Sequence, residues 1–290
     1  MSKLPNLYHR PQTIFQENLA NVTGGFTSHC AKPFLKWVGG KHSILPELLA
    51  RVPDRYDLYC EPFLGGGTLF FALHPEKAYL SDINPHLAAT FRAVRDNVEP
   101  LVDYLRIHAS KHSPAYYYKA REHLFVEGDR VKIASLFIYL NKTCFNGLYR
   151  VNKKGKFNVS IGDYKTPAIL DETNLRACSR LLQGKEIRQH DFSQIKLVKN
   201  GFYYLDPPYH KAYDGYNRKR FSDCEHKRLA EFCHRINRAG GHFMLSNSDT
   251  PFVRKLYKGC SIETVESFRS VSCKGSQRGK TSELIIRNYK

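Results

Sequence analysis

Short apolar runs, glycine turns and amphipathic stretches alternate in two separated parts of the chain, and a different pattern lies between them. In the first part, Leu58–Cys60 reads as a buried strand running into the turn Leu64-Gly65-Gly66-Gly67. Thr68–Leu73 reads as the helix after that turn, and Ala78–Leu80 as a second strand ending at Asp82. Strand, glycine turn, helix and strand open a doubly wound α/β sheet. Alternation resumes at Gly201–Leu205, an apolar strand that ends at Asp206. Ser222–Asn237 carries the signals of a helix: Ser222 and Glu225 at capping-box spacing, Leu229, Phe232, Cys233 and Ile236 on one face, and Gly240-Gly241 past its end. His242–Leu245 follows as another strand.

From Pro85 to Ile169 there is no strand–helix alternation. His86–Asn97 and Val131–Leu140 are expected to be helical, and Asn141–Lys165 is a loop rich in Asn, Gly and Lys. The pattern therefore predicts residues 31–84 and 171–290 as one α/β domain and residues 85–170 as a mostly helical insert. Residues 1–30 are polar and aperiodic and read as an N-terminal extension.

Composition narrows the class. The chain has 290 residues, 42% hydrophobic and 25% charged, so it can bury a core and is not expected to be disordered. Its longest apolar runs fall short of the roughly 20 residues a spanning helix needs, and Met1–Gln16 does not read as a secretory leader. Forty-five Lys and Arg against 27 Asp and Glu leave a net charge of +18, which points to a polyanionic partner, nucleic acid before a membrane surface. The eight cysteines form no C-x-x-C pair, and no H-E-x-x-H occurs. No metal site is expected, and the thiols read as reduced ones in a cytoplasmic protein.

Four motifs carry candidate chemistry. Glu61-Pro62-Phe63-Leu64-Gly65-Gly66-Gly67 follows a strand, and its glycines allow a tight turn beside a nucleotide-like ligand at a helix N-terminus. Asp82, at the end of the next strand, suits the two hydroxyls of a ribose. An ordinary tight turn is the alternative. Phe34-Leu35-Lys36-Trp37-Val38-Gly39-Gly40-Lys41 is not a phosphate loop, because Leu35 and His42 stand where a Walker motif needs Gly and Ser or Thr. It is either a turn before a helix over His42–Arg51 or a border of the cofactor pocket through Trp37 and Lys41. Asp206-Pro207-Pro208-Tyr209 ends an apolar strand. Its prolines fix the backbone, so Asp206 and the proline carbonyls form a rigid acceptor group beside a flat ring, as an exocyclic amino group on a planar base requires; a proline-rich turn with a capping Asp is the alternative. Asn141–Lys165 interleaves Lys142, Arg150, Lys153, Lys154, Lys156 and Lys165 with Phe145, Tyr149, Phe157 and Tyr164, a composition suited to DNA, with a solvated charged loop as the alternative. Arg269–Lys290, with six basic residues and one acid, reads as a second phosphate-contacting wall.

In this order, these segments resemble the Dam-type DNA adenine-N6 methyltransferases of the D12 class. The resemblance runs from Lys32 to the C-terminus and also takes in Ser-Asp-Ile-Asn-Pro (81–85), Phe-Asn-Gly-Leu-Tyr-Arg (145–150), Gly-Lys-Phe-Asn-Val (155–159), Leu-Ser-Asn-Ser (245–248) and Arg-Gly-Lys-Thr-Ser-Glu (278–283). It implies a Rossmann-like methyltransferase sheet, with 31–84 and 171–290 as the catalytic domain that binds S-adenosyl-L-methionine and 85–170 as a target-recognition subdomain. It implies Trp37, Lys41, Glu61, Phe63, Gly65, Gly67, Asp82 and Asp206 at the cofactor, and Asp206, Pro207 and Tyr209 at the chemistry. Phe145, Asn146, Leu148 and Arg150, with Lys153 and Lys154, are implied at the DNA.

The chain departs from the family's pattern at Ser160, often proline, and at Asp163, often basic. His210–Phe221 is also shorter than in many relatives. The expected reaction is methyl transfer to N6 of a flipped adenine in a short duplex sequence, GATC foremost, by a monomer and without metal. Any cognate restriction endonuclease would act as a separate protein. Cytosine N4, RNA adenine and a protein amide remain as other acceptors, and a catalytically silent DNA-binding regulator as another class.

Overall fold

The computed structural model describes residues 31–124, 127–211, 221–268 and 280–290. The expected extension 1–30 and residues 269–279 of the basic tail lie outside these. Among the described residues the strands are β1 (Leu58–Glu61), β2 (Ala78–Ser81), β3 (Glu186–Arg188), β4 (Gly201–Leu205), β5 (His242–Ser248), β6 (Ser261–Phe268) and β7 (Lys280–Arg287). They form one sheet in the order β3-β2-β1-β4-β5-β7-β6. β1 to β5 pair in parallel, and β7 runs antiparallel to both β5 and β6.

β4 shows why its sequence is apolar without a break. Phe202 and Tyr204 belong to one hydrophobic cluster, Tyr203 and Leu205 to another, so both faces of the strand are covered. The first cluster is continuous with the helices that follow β2: α3 (Pro85–Asp96), α4 (Val98–Ser110), α5 (Pro114–His123) and α6 (Arg130–Thr143). The remaining helices are α1 (Leu45–Leu49), α2 (Thr68–Leu73), α7 (Glu172–Leu182), α8 (Asp223–Arg238) and α9 (Pro251–Leu256). None of the described helices is long and apolar enough to cross a membrane.

Local rules account for the helix starts. Asn84 Oδ1 accepts from His86 N and Leu87 N, and Pro85 takes the first helical position of α3, where its missing N–H costs nothing. Asp129 caps α6 by accepting from Val131 N and Lys132 N. α6 is apolar nearly all round because it is buried on nearly all sides from Ala134 to Asn141.

Two local expectations change. The helix expected over His42–Arg51 is a single 3₁₀ turn, His42–Ile44, followed by the short α1, because Pro46 cannot donate back to His42. At α8, Ser222 accepts from Glu225 N as expected, but the Glu225 carboxylate pairs with Arg228.

The order of strands reverses between β1 and β4, whose registers place Cys60 opposite Tyr203. In open α/β sheets, ligands bind outside the carboxyl ends of the strands at such a reversal. Glu61 closes β1 there, Asp206 follows β4, and β2 delivers Asp82 alongside.

Candidate active site

The turn after β1 is built around two left-handed glycines. Gly65 has φ +48°, and a Cβ on it would stand 2.8 Å from Trp37 Cδ1; Gly67, at φ +69°, precedes α2. Trp37 is thus pressed against the turn on one side, while its ring stacks on Tyr149 at 6.0 Å. Asp82 stiffens the same turn: Oδ2 accepts from Gly65 N at 3.1 Å and Oδ1 from Asn84 N at 2.9 Å. Phe63 packs against Phe192 and Phe221.

Lys41 is buried, and its Nζ lies 2.7 Å from Asp206 Oδ2. The same Nζ stands 4.9 Å from the centre of the Tyr209 ring. The other carboxylate oxygen, Asp206 Oδ1, is buried with no hydrogen-bond partner. Tyr209 donates its hydroxyl to Glu283 Oε2 of β7 at 2.6 Å. Immediately after it, His210 N donates to Asn247 Oδ1 of β5 at 3.0 Å, and Ser248 Oγ donates to the His210 carbonyl at 2.6 Å. The turn that begins with Pro207 and Pro208 is therefore held by two neighbouring strands.

The electrostatics of this edge are dominated by carboxylates. Burial pushes Glu61 up to about 8, opposed by the Tyr59 hydroxyl that donates to it at 2.8 Å and reinforced by Asp206 and Asp82. Burial raises Asp82 to about 6, against the backbone N–H groups of Asn84 and Gly65. Asp206 is likewise raised to about 6 by burial, with Lys41 pulling down and Glu283 pushing up. Within a chain of net charge +18, three carboxyl groups thus gather at one edge; near neutral pH Asp82 and Asp206, at about 6, are mostly anionic, whereas Glu61, at about 8, is mostly a neutral acid.

The basic loop stands beside this crevice. Its two halves are joined where Phe145 N donates to the Ser160 carbonyl and Gly162 N to the Thr143 carbonyl. Phe145 is 44% exposed. Asn146 is exposed in a left-handed conformation at φ +53°. Leu148, expected at the DNA with them, is buried in the core. Arg150 turns back on its own loop, donating from Nε to Asn158 Oδ1 at 2.8 Å and from a terminal nitrogen to the Asn158 carbonyl at 3.0 Å. A bidentate grip on a base edge would first have to release Asn158. Lys153 and Lys154 are exposed on a turn organised by Asn152, whose Oδ1 accepts from Lys154 N and Lys156 N. Ser160 and Asp163 are exposed on the opposing limb.

One organising residue escaped the pattern reading. Asn141, only 4% exposed, accepts from Lys36 N at 2.8 Å and donates to the Lys36 carbonyl at 2.7 Å and the Gly147 carbonyl at 3.0 Å. It stitches the Trp37–Lys41 segment to the basic loop. The signal was present: Asn141 follows Leu140 within one unbroken helical run, and a buried amide there must find partners. Gly147 sits so close to Lys36 that a Cβ on it would collide with Lys36 Cβ.

A sheet with this order and one reversed strand next to its edge is that of a Rossmann-like methyltransferase. Residues 37–271 match the family described as D12 class N6 adenine-specific DNA methyltransferase. The Type II methyltransferase M.MjaIII of Methanocaldococcus jannaschii is 38% identical over 287 residues, covering 89% of this chain and 99% of the relative. The Type II methyltransferase M1.LlaDCHI of Lactococcus lactis subsp. cremoris is 37% identical over 271 residues, with 89% and 95% covered. The DNA adenine methylase of Haemophilus influenzae is 32% identical over 265 residues, with 88% and 92% covered. The chain belongs to the D12 class of N6 adenine-specific DNA methyltransferases. It is a DNA-modifying enzyme, and DNA is its substrate.

Proposed function

We propose that the enzyme methylates N6 of adenine within one short double-stranded sequence, with GATC the first candidate, and takes the methyl group from S-adenosyl-L-methionine. The observation that carries this reading is the division of labour at Asp206: Oδ2 is held by Lys41, while the buried Oδ1 awaits a donor. An adenine amino group brought to this edge donates one hydrogen to Asp206 and the other to the Pro207 carbonyl. Its lone pair is then freed from the ring and aimed at the crevice, while the base stacks on Tyr209.

The crevice fits the cofactor. The tight Gly65 turn under Trp37 and the Asp82 carboxylate suit a nucleoside, and Asp82 and Asp206, mostly ionised at neutral pH, suit a ligand that carries positive charge. Trp37, Lys41, Glu61, Phe63, Gly65, Gly67, Asp82 and Asp206 would hold it. When bound, S-adenosyl-L-methionine supplies an electrophilic methyl on a positively charged sulfur.

Residues 31–84 and 171–290 act as the catalytic domain and 85–170 as the target-recognition subdomain. Phe145 and Asn146 meet the bases, Lys153 and Lys154 the phosphates, and Leu148 supports the turn from below. Arg150 joins the readout once DNA displaces Asn158. The enzyme works as a monomer in the cytoplasm, and any cognate endonuclease acts separately. Incubating unmethylated plasmid with protein and cofactor, then sequencing single molecules for modified bases, tests this. Methylated adenines at one short motif support the reading, and N6 methylation at a motif other than GATC changes only the target. Methylation scattered without a motif would sink the recognition role of residues 85–170.

A further inference from the structure

The mechanism above uses Asp206, Pro207 and Tyr209 but gives no task to Glu283, which touches the group from another strand. The register of β7 places Glu283 opposite Ser248 of β5 and Val265 of β6, at the carboxyl edge of the parallel strands. From there its carboxylate accepts the Tyr209 hydroxyl at 2.6 Å, the short length of a charge-assisted bond. The Tyr209 ring is thus fixed at two places, its hydroxyl by Glu283 and one face by Lys41. Lys41 in turn holds Asp206. Glu283, Tyr209, Lys41 and Asp206 form one connected set, with the stacking surface and the acceptor at its centre.

We propose that Glu283 is a positioning residue for methyl transfer: it sets the plane of the Tyr209 ring on which the flipped adenine stacks, and its negative charge acts on Asp206. The inference rests on the roles given above to Asp206 and Tyr209. A tyrosine at a loop can rotate about two side-chain torsions, and an anchored hydroxyl removes that freedom before the base arrives, so less ordering is required at the moment of flipping. The charge has a separate effect. Asp206 is faced by Lys41 from the segment before α1, by Glu61 at the end of β1, by Tyr204 of its own strand, by Tyr209, and by Glu283 from β7. Among these, Lys41 favours its ionised form, and Glu283 opposes it.

The test uses the full-length enzyme with a duplex carrying 2-aminopurine at the target adenine to read base flipping, and the matching adenine duplex for single-turnover methylation from about pH 5 to 9. Glu283→Ala and Tyr209→Phe should each lower the flipped-base fluorescence and slow methylation about tenfold, and the double variant should be no slower than either alone. Glu283→Gln keeps an oxygen for the tyrosine hydroxyl and should recover most of the loss. Without the carboxylate charge, Asp206 ionises at lower pH, so this variant should retain about twofold more of its plateau rate than the wild type near pH 5.5. Additive losses in the double variant, or equal rates for the Gln and Ala variants with an unmoved acid limb, would overturn the inference. Asp206→Asn and Tyr209→Ala are run beside them. Intact turnover in those two means that the underlying site reading has failed, whereas their loss with unresponsive Glu283 variants removes Glu283 alone.

Discussion

Replacing Asn141 by alanine tests the joint between the Trp37–Lys41 segment and the basic loop. The side chain satisfies three backbone groups, Lys36 N, the Lys36 carbonyl and the Gly147 carbonyl, at 2.7–3.0 Å. A buried polar group stripped of its partner costs about 1–3 kcal/mol, so three of them set a ceiling near 9 kcal/mol. Water entering the space left by the amide recovers part of this, and a net loss of about 3–5 kcal/mol is expected, at the upper end for a single substitution. In a chain of this size that corresponds to a fall of roughly 5–8 °C in melting temperature. Asn141→Asp should be no better tolerated, because a carboxylate keeps the bond from Lys36 N but faces two carbonyl oxygens. Acidification should restore part of the loss in that variant alone, since a protonated carboxyl can donate once. Urea unfolding of the three proteins at neutral and mildly acidic pH provides the measurement. An alanine variant within about 1 kcal/mol of the wild type, or an aspartate variant milder than alanine at neutral pH, would show that the three contacts are not what holds the two segments together.

Asp206→Ala should abolish methylation while leaving DNA affinity within about twofold, read by gel shift and single-turnover kinetics; retained turnover would remove it from the chemistry. Replacing both Lys153 and Lys154 by alanine should flatten the dependence of log affinity on log salt by up to about 2, without changing which sequence is preferred. An unchanged slope would mean that neither touches phosphate. Glu61 is raised to about 8 in the folded state from an ordinary value of 4.5, so the stability it contributes is complete below the unfolded value and is lost as pH climbs to about 8. The wild type should therefore lose stability relative to Glu61→Gln between about pH 5 and 8. Parallel curves of urea midpoint against pH would contradict the assignment.

Much of the site could be read from residue types and spacing, because strand ends are where short motifs interrupt apolar runs. Gly65 and Asp82 are seventeen residues apart in sequence and bonded in the fold. Asp206 directly follows β4, whose residues are all buried, so its polarity stands out. What stayed hidden depends on contacts between distant segments. The spacing offers Lys41 as part of a turn or as a border of the cofactor pocket, and nothing local to it points to Asp206, which β4 brings within 2.7 Å. Glu283 belonged to a recognisable segment, but nothing local ties it to Tyr209. Asn141 falls just past the apolar run that ends at Leu140, whereas the helix continues to Thr143. β3 buries only Ile187 of its three residues, too short a pattern to register. α7 carries legible signals of its own, with Asp171 as its cap and Leu175, Cys178 and Leu182 on its inner side.

The position of β7 has a consequence for how the protein is made. β6 is synthesised before β7, yet β7 lies between it and β5 in the sheet, and among the described strands β6 pairs with no other. Until residues 280–287 are available, β6 has no described strand to pair with, and the hydrogen-bonding edge of β5 stands open. Such an edge is a template for pairing with other chains. A message truncated between β5 and Lys280 therefore yields more than an enzyme without Glu283: it yields an adhesive sheet edge, and the cell should meet that product as aggregate or as protease substrate, never as a weak methylase.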